Sequence, residues 1–332
     1  MRIKAISVGW LNAAWLISVL QLVVIPASAE WHEQSRHLMG TEVSVELWHE
    51  NARDAAALIE SVFAEVQRLD LMMNPWNEAS ELARINREAG RRSVSTTREI
   101  FTVLERALHY SRLSDGAFDV SFAAVGQHFD YREAVRPTDE VIDAAKSSID
   151  YRSIRLIPVT RQIKFEKPGM QIDLGGIAKG YAVDAGIALL KAEHVQAAVV
   201  TAGGDSRILG DMGDRPRTVG IRHPRKAGEY AVLIPLENTA ISTSGDYERF
   251  FKLNGKRYHH ILDPKTGHSA GKVRSASILA PTAMESDALS TTVFVLGVER
   301  GLALVNRLSG VDAIIIDSVG ELHYSEELLL SP

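Results

Sequence analysis

Short strand patterns joined by tight turns fill the second half of the chain, and they constrain its fold more than any other feature. Strand-like composition occurs at residues 219–221, 231–236, 250–253, 257–262 and 275–280. The dipeptide Asn254-Gly255, between two of these runs, is a strong signal for a hairpin. Consecutive hairpins build antiparallel sheet, because parallel strands need a long crossover between them. The sequence therefore predicts a largely antiparallel sheet.

Helical periodicity alternates with these strands. A strand pattern at residues 42–48 precedes a long amphipathic helix at 55–73, and Thr96 to Glu99 has the spacing of a capping box ahead of another helix. Further helices are predicted at residues 180–193, 286–296 and 301–308. Hairpins mixed with helices favour an α+β fold over a doubly wound parallel sheet. Because no linker or repeat interrupts the pattern, we expect two intimately packed lobes that share one core.

The N-terminus has the organisation of a secretory signal peptide. Basic residues at the start precede an apolar stretch, and Ala27-Ser28-Ala29 offers an Ala-x-Ala cleavage site. The alternative is an uncleaved membrane anchor, since the stretch approaches the length of a membrane span. Asn12 and Gln21 interrupt the apolar run, which favours cleavage. We expect residues 1–29 to be removed and residues 30–332 to function in the periplasm.

Composition excludes several classes of function. The 332 residues include no cysteine, so a disulfide framework, a thiolate metal site, a cysteine nucleophile and a lipidated cysteine are all excluded. The formal charge is −5 and no basic block is present, which argues against a nucleic-acid partner. Enzymes and binding proteins that use oxygen and nitrogen ligands remain.

Asp287 and Thr291 are spaced to form a cation site. They lie four residues apart in a predicted helix, so their side chains share one face. Carboxylate, hydroxyl and carbonyl oxygens are the ligands that Mg²⁺ and Ca²⁺ prefer. The alternative is structural, because an aspartate near a helix N-terminus also caps the helix and interacts with its dipole.

A glycine turn earlier in the chain complements this helix face. Gly175-Gly176 separates an extended segment from a predicted helix, and such turns expose backbone groups that bind anions. Asp173 can accept hydrogen bonds from a ligand, and the charge of Lys179 suits an anion. A purely structural helix entry would use the same residues. A divalent cation beside an anion-binding turn indicates chemistry on a phosphate ester.

Other segments place titratable and aromatic side chains beside predicted turns. His260 suits a general acid or base at neutral pH, and Asp246 follows a run of hydroxyl residues. A surface histidine at a strand end is the structural alternative for His260. Trp76 lies in a polar loop, where an aromatic ring either stacks on a flat ligand or closes the edge of a core.

Eight segments of the chain occur in an order that is informative as a whole. They are Met39-Gly40-Thr41, Trp76 with Ser80-Glu81-Leu82-Ala83-Arg84-Ile85-Asn86, Asp115-Gly116-Ala117-Phe118-Asp119, Asp173-Leu174-Gly175-Gly176-Ile177-Ala178-Lys179-Gly180, Gly203-Gly204-Asp205, Thr243-Ser244-Gly245-Asp246-Tyr247, His260-Ile261-Leu262-Asp263-Pro264-Lys265-Thr266-Gly267 and Asp287-Ala288-Leu289-Ser290-Thr291. Together they resemble, in order, the motifs of the FAD:protein FMN transferase (ApbE) family. The resemblance covers residues 38–325.

The resemblance implies an α+β fold with FAD in a crevice between two lobes. It implies Mg²⁺-dependent transfer of FMN from FAD to a threonine hydroxyl of an acceptor protein, an exported electron-transfer flavoprotein subunit, with release of AMP. By motif position, the residues in contact with FAD are Met39, Trp76, Ala117, Phe118, Asp119, Asp173, Lys179 and Ile261. The implied metal ligands are the backbone carbonyl of Gly176 and the side chains of Asp287 and Thr291.

The implied transfer also requires a base near the acceptor hydroxyl. His260 is the first candidate and Asp246 the second, because each lies in a matching motif and can reach a hydroxyl proton. Two other functions are compatible with the same cleft. One is an FAD pyrophosphatase that gives FMN and AMP, and the other is a non-catalytic periplasmic FAD-binding protein.

Overall fold

The computed structural model describes residues 29–210 and 217–330, so nearly all of the predicted signal peptide lies outside the described residues. The strands are β1 (Glu30–Leu38), β2 (Thr41–His49), β3 (Val94–Ser95), β4 (Ile154–Ile157), β5 (Gln162–Phe165), β6 (Ala198–Ala202), β7 (Asp205–Leu209), β8 (Arg217–Arg222), β9 (Tyr230–Leu236), β10 (Ala240–Gly245), β11 (Phe250–Leu253), β12 (Lys256–His259), β13 (Val273–Ala280), β14 (Asp312–Asp317) and β15 (Leu322–Tyr324). The helices are α1 (Ala52–Met73), α2 (Glu81–Glu88), α3 (Arg98–Leu113), α4 (Ala123–Gly126), α5 (Asp139–Lys146), α6 (Ala178–Ala192), α7 (Ala283–Leu296), α8 (Val298–Val305) and α9 (Glu326–Leu330).

Eight strands form one sheet in the order β1-β2-β6-β7-β10-β13-β14-β15. Every neighbouring pair in this sheet is antiparallel. The central strands β6 and β13 are almost continuously buried, because elements cover both faces of the sheet. The prediction of an α+β fold with a largely antiparallel sheet is confirmed.

Helices cover one face of the large sheet, and a β-ribbon covers the other. Helices α1, α6, α7 and α8 pack on the first face, where they bury the main core. On the second face, the ribbon β8–β9 places Ile221 and Leu236 against Ile208, Ile241 and Ile314 of the sheet. This arrangement holds α6 and α7 side by side on the sheet, where the candidate site lies.

The segment between α1 and α6 builds the second, smaller part of the molecule. It contains helices α2 to α5 and a three-stranded sheet in the order β3-β5-β4. Leu82, Ile100 and Ile163 from this segment belong to the same hydrophobic cluster as Val43 and Val200 of the large sheet. The two parts therefore share one core. Within the described residues, no helix is both long and apolar enough to span a bilayer.

Some element boundaries differ from the sequence-based expectations. Strand β1 and helix α2 were not predicted; β1 is an edge strand that is exposed along most of its length, so it lacks the alternation of a half-buried strand. Helix α3 is capped by Thr97 rather than Thr96. Helix α7 begins three residues earlier than predicted, which places Asp287 in its second turn. Asp287 is therefore not a cap of its own helix.

Candidate active site

The N-terminal ends of α6 and α7 cross at close range, and this crossing is the centre of the candidate site. A Cβ atom on Gly180 would lie 2.2 Å from the carbonyl oxygen of Ala283, so any other residue would force the two backbones apart. Asp184 on α6 accepts hydrogen bonds from the N–H groups of Ala283 and Met284, at 3.0 and 2.9 Å. Asp287 on α7 accepts one from Gly180 at 3.0 Å. Each helix therefore caps the other, and two positive helix ends meet in one place.

Asp287 and Thr291 lie one turn apart on the same face of α7, as their spacing predicts. Asp287 is buried and Thr291 is half-buried. The hydroxyl of Ser244, on the neighbouring strand β10, lies 3.2 Å from that of Thr291 and orients it. Burial, and then the charge of Asp205, raise the pKa of Asp287 well above the usual range for an aspartate. A bound cation would offset this cost of burying the carboxylate charge.

The Gly175-Gly176 turn packs directly against Thr291. A Cβ atom on Gly176 would lie 3.4 Å from the hydroxyl oxygen of Thr291 and 3.2 Å from the ring of Phe118. Gly180, whose N–H donates to Asp287, follows Gly176 at the start of α6. Gly176 therefore lies beside Thr291, and Asp287 lies one turn before Thr291 on α7. Carbonyl, carboxylate and hydroxyl oxygens are the kinds of donor that suit Mg²⁺. We call Gly176, Gly180, Asp287 and Thr291 the helix junction.

Lys179 directs its ammonium group at two carboxylates beside the helix junction. Its Nζ lies 2.6 Å from Asp205 and 3.6 Å from Asp287. Burial alone lowers the pKa of Lys179, but the two carboxylates outweigh burial and raise the pKa above its ordinary value. Lys179 is therefore protonated, and the buried Asp205 balances much of its charge. The ammonium group is held in a fixed position rather than free in solvent.

The segment predicted to contact FAD through Ala117 and Phe118 packs next to the glycine turn. Both residues are buried, and the ring of Phe118 contacts Gly176 as described above. The N–H of Asp173 donates to the carbonyl of Val120 at 2.9 Å, which joins this segment to the start of the turn. Burial raises the pKa of Asp173, against the opposing effects of the Gly175 N–H and the charge of Arg249. The predicted FAD residues from these two segments are therefore brought together.

Two predicted site residues use their carboxylates within the protein. One oxygen of Asp119 accepts hydrogen bonds from Ser121 and the other from the N–H of Tyr151. A contact between Asp119 and FAD would therefore involve its main chain. Both oxygens of Asp246 bind the guanidinium of Arg225, at 2.7 and 2.5 Å. This bidentate pair occupies both carboxylate oxygens of Asp246, so Asp246 is the less available of the two candidate bases.

Two of the predicted FAD contacts, Met39 and Trp76, lie at the C-terminal end of α1. Met39 occupies the turn between β1 and β2 with φ of 52°, and its N–H donates to Asp70 in the last turn of α1 at 3.0 Å. Trp76 follows the same helix, and 68% of its surface is exposed. A tryptophan that is exposed on a structured loop offers a stacking surface, which is the role predicted for it.

A second hairpin, β11–β12, contacts the β1–β2 turn through the residue that precedes it. Arg249, just before β11, donates to the carbonyl of Gly40 at 3.1 Å. His260 follows β12, and its N–H donates to the carbonyl of Arg249 at 3.1 Å. Burial, and then the charge of Arg249, lower the pKa of His260 to about 3, so its imidazole is neutral at physiological pH. Ile261, the next residue, is buried. We call Met39, Gly40, Trp76, Arg249 and His260 the mouth.

Three residues of the site carried no role in the sequence analysis. Ser244 orients the Thr291 hydroxyl, and Arg249 connects the two hairpins of the mouth. The amide of Asn86 both donates to and accepts from the backbone of Ile172, at 2.9 and 2.8 Å, which fixes the chain just before the glycine turn. Ser244 and Asn86 lie inside matching motifs, but Arg249 lies between two motifs, so only its charge could have indicated it.

Comparisons with known proteins agree on one family. The model of the ApbE family matches residues 39–315. A protein from Treponema pallidum (strain Nichols), named FAD:protein FMN transferase, is 34% identical over 328 residues, which cover 91% of this chain and 91% of that protein. A protein of the same name from Klebsiella pneumoniae (strain 342) is 28% identical over 289 residues, 86% of this chain and 89% of its own length.

Solved structures show the same relationship. The crystal structure of the ApbE protein from Thermotoga maritima superimposes with a TM-score of 0.83 and 31% identity, and covers 91% of this chain and 99% of its own. The flavin transferase ApbE from Vibrio cholerae gives a TM-score of 0.81 with 25% identity and the same coverage. The similarity therefore extends over nearly the whole described chain.

Proposed function

The chain belongs to the ApbE family, and from that membership we propose that it is an FAD:protein FMN transferase. It transfers FMN from FAD to a threonine hydroxyl of an acceptor protein in an Mg²⁺-dependent reaction and releases AMP. The acceptor is an exported electron-transfer flavoprotein subunit. One observation carries the proposal: Gly176, Asp287 and Thr291 lie where two helix N-termini cross, next to the ammonium group of Lys179. This combination suits a divalent cation and a diphosphate at once.

The helix junction holds the groups that bind and orient the diphosphate. Gly176, Asp287 and Thr291 would hold Mg²⁺, which supplies charge neutralisation at the phosphorus under attack and at the departing AMP. The ammonium group of Lys179 and the two helix ends add positive potential on the same side. Phosphoryl transfer depends on positioning and charge neutralisation more than on covalent catalysis, so a junction fixed by mutual capping is suited to it.

His260 is placed to accept the proton of the acceptor hydroxyl. Its Nδ1 lies 3.4 Å from the carbonyl of Arg249, a weak contact that favours the tautomer with the proton on Nδ1 and leaves the lone pair on Nε2. Its depressed pKa keeps the imidazole neutral but makes it a weak base. The negative charge of a bound diphosphate would raise that pKa, so the base would become stronger only when FAD is present.

Export to the periplasm is the second part of the proposal. It rests on the signal-peptide pattern before Glu30 and on the absence of any cysteine for lipid attachment. Mass spectrometry of the protein purified from an exporting host should give an N-terminus at Glu30. Recovery of the intact chain from Met1 would contradict cleavage.

One incubation distinguishes transfer from the two other functions. The protein is mixed with FAD, Mg²⁺ and a candidate acceptor that contains the target threonine, and the products are separated after denaturation. Flavin fluorescence on the acceptor together with AMP supports transfer. Free FMN and AMP indicate a pyrophosphatase, and unchanged FAD that remains bound indicates a carrier. An acceptor with threonine replaced by valine serves as the control.

A further inference from the structure

Arg249 occupies a position between the two hairpins of the mouth. Its guanidinium donates to the carbonyl of Gly40 at the tip of the β1–β2 hairpin, and its own carbonyl accepts the N–H of His260. A Cβ atom on Gly40 would lie 3.2 Å from the Nη2 atom of Arg249. The arginine therefore connects the candidate base, His260, with the turn that contains the predicted FAD contact Met39.

Most hydrogen-bonding capacity of this guanidinium is unused. An arginine has five N–H donors, and within residues 29–210 and 217–330 the guanidinium of Arg249 makes one hydrogen bond and no ion pair. Its neighbours differ in this respect. Arg222 pairs with Glu248 at 2.6 Å, and Arg225 pairs with Asp246 through both nitrogens. Arg249 is exposed, and its guanidinium forms no ion pair with a carboxylate of the described residues.

The charge of Arg249 influences residues of the predicted site electrostatically. It acts on Asp173, Lys179 and His260, which come from three separate segments of the chain. Lys179 differs from Arg249 because Asp205 and Asp287 already hold its ammonium group. Of these two cations, Arg249 is therefore the one with charge and donors available for an incoming anion. A diphosphate offers planar pairs of oxygens that match a guanidinium.

We propose that Arg249 binds the diphosphate of FAD and holds the phosphate of AMP as it departs. This inference rests on the proposed function. During transfer, a bond forms between the threonine oxygen and the flavin-side phosphorus, and the bond from that phosphorus to the bridging oxygen breaks. The bridging oxygen takes the electron pair and leaves with AMP, while the hydroxyl proton passes to His260. The N–H groups of Arg249 stabilise the negative charge on the AMP phosphate.

The inference is tested by titration calorimetry of the full mature chain with FAD and by competition of ADP against FAD. The buffer contains EDTA, so that differences in metal binding between variants do not affect the measured affinities. ADP carries the diphosphate without the flavin. We expect Arg249→Gln to weaken both ligands by about tenfold or more, as the loss of a charged hydrogen bond predicts. Arg249→Lys should give an intermediate loss, because it keeps the charge without the planar fork. Arg155→Gln on β4, which breaks an exposed ion pair between Arg155 and Glu166, should leave both affinities unchanged.

Other outcomes would separate the explanations. Wild-type affinity of Arg249→Gln for FAD would overturn the inference. So would a loss of FAD affinity without any loss for ADP, which would mean that Arg249 only fixes the Met39 hairpin. Absence of ADP competition with the wild-type protein would show that the diphosphate is not recognised and would equally overturn it. Failure of the wild-type protein to bind FAD both in EDTA and after Mg²⁺ is restored would instead refute the proposed function.

Discussion

The helix junction and the mouth differ in burial and in the kind of elements that form them. In the helix junction Gly180 and Asp287 are buried, the two helices cap each other, and Gly180 leaves no space for a side chain. The mouth consists of hairpin turns and a loop, and it exposes Trp76 and Arg249. The first region is held by contacts between two helices, while the second presents exposed side chains to solvent. Close helix packing and solvent-exposed side chains therefore come from separate elements of the chain.

The largest effect is expected from Asp287→Asn, which removes the charge at the helix junction but keeps an oxygen for the N–H of Gly180. Transfer at ordinary Mg²⁺ concentrations should fall by about a thousandfold, because charge neutralisation by a metal contributes several kcal/mol. Initial rates of AMP release measure this effect.

The stability of the same variant sharpens the comparison. An aspartate whose pKa is raised by burial disfavours the folded state above that pKa, when it is ionised. The midpoint of thermal unfolding for Asp287→Asn at neutral or higher pH should therefore be no lower than that of the wild type. Near-normal transfer, or loss of transfer that merely follows unfolding, would count against the metal assignment.

Gly180→Ala tests the rigidity of the helix junction. The added Cβ meets the backbone of α7, which cannot move aside as a side chain can, so the free energy of unfolding should fall by about 3 kcal/mol. Gly90→Ala is the matched control, since a Cβ there has nothing within 4 Å, and it should change stability by less than about 1 kcal/mol. Denaturant unfolding measures both. Equal stability of the two variants would show that the helices are not held this closely.

His260→Ala tests the mouth. Loss of a general base should lower the rate of transfer by about a hundredfold, while FAD affinity stays near that of the wild type because the helix junction is intact. Single-turnover kinetics and an FAD titration measure the two quantities separately. A large loss of FAD affinity without loss of rate would place His260 in binding rather than in proton transfer.

The two regions should also respond differently to pH. The raised pKa of Asp287 means that protons compete with Mg²⁺, so the half-saturating Mg²⁺ concentration should increase as pH falls from about 8 to about 6. His260 has a lowered pKa and stays neutral in the free protein over that range, so it should add no acidic limb to kcat/KM, which reports the free protein. Activity assays over a grid of pH and Mg²⁺ concentration measure this. A requirement for Mg²⁺ that is independent of pH would contradict the environment assigned to Asp287.

Local pattern predicted the parts of the site that lie within single elements. The spacing of Asp287 and Thr291 placed them on one face of α7, and the Gly175-Gly176 turn was expected ahead of α6. Alternation and hairpin signals predicted the antiparallel sheet, because both act over a few residues. The exposed edge strand β1 lacks such periodicity and was missed. Helix α2 is amphipathic, with Leu82, Ala83 and Ile85 buried, but it spans only 8 residues and was also missed.

Contacts between distant segments could not be predicted in the same way. The need for glycine at position 180 arises only because α7 crosses α6 there. Arg249 gains its position from Gly40, which lies 209 residues away in the chain. Asp246 was predicted as a second candidate base, but in the folded protein its carboxylate pairs with Arg225. These properties depend on tertiary packing, for which a single sequence without matching motifs carries no signal.

Anomalous scattering from a crystal of the mature chain grown with FAD and Mn²⁺ in place of Mg²⁺ tests the central claim most directly. We predict a manganese peak at about 2.1 Å from the carbonyl oxygen of Gly176 and from side-chain oxygens of Asp287 and Thr291, with the FAD diphosphate completing its coordination. A diphosphate bound elsewhere, or a metal that does not contact these three oxygens, would contradict the account.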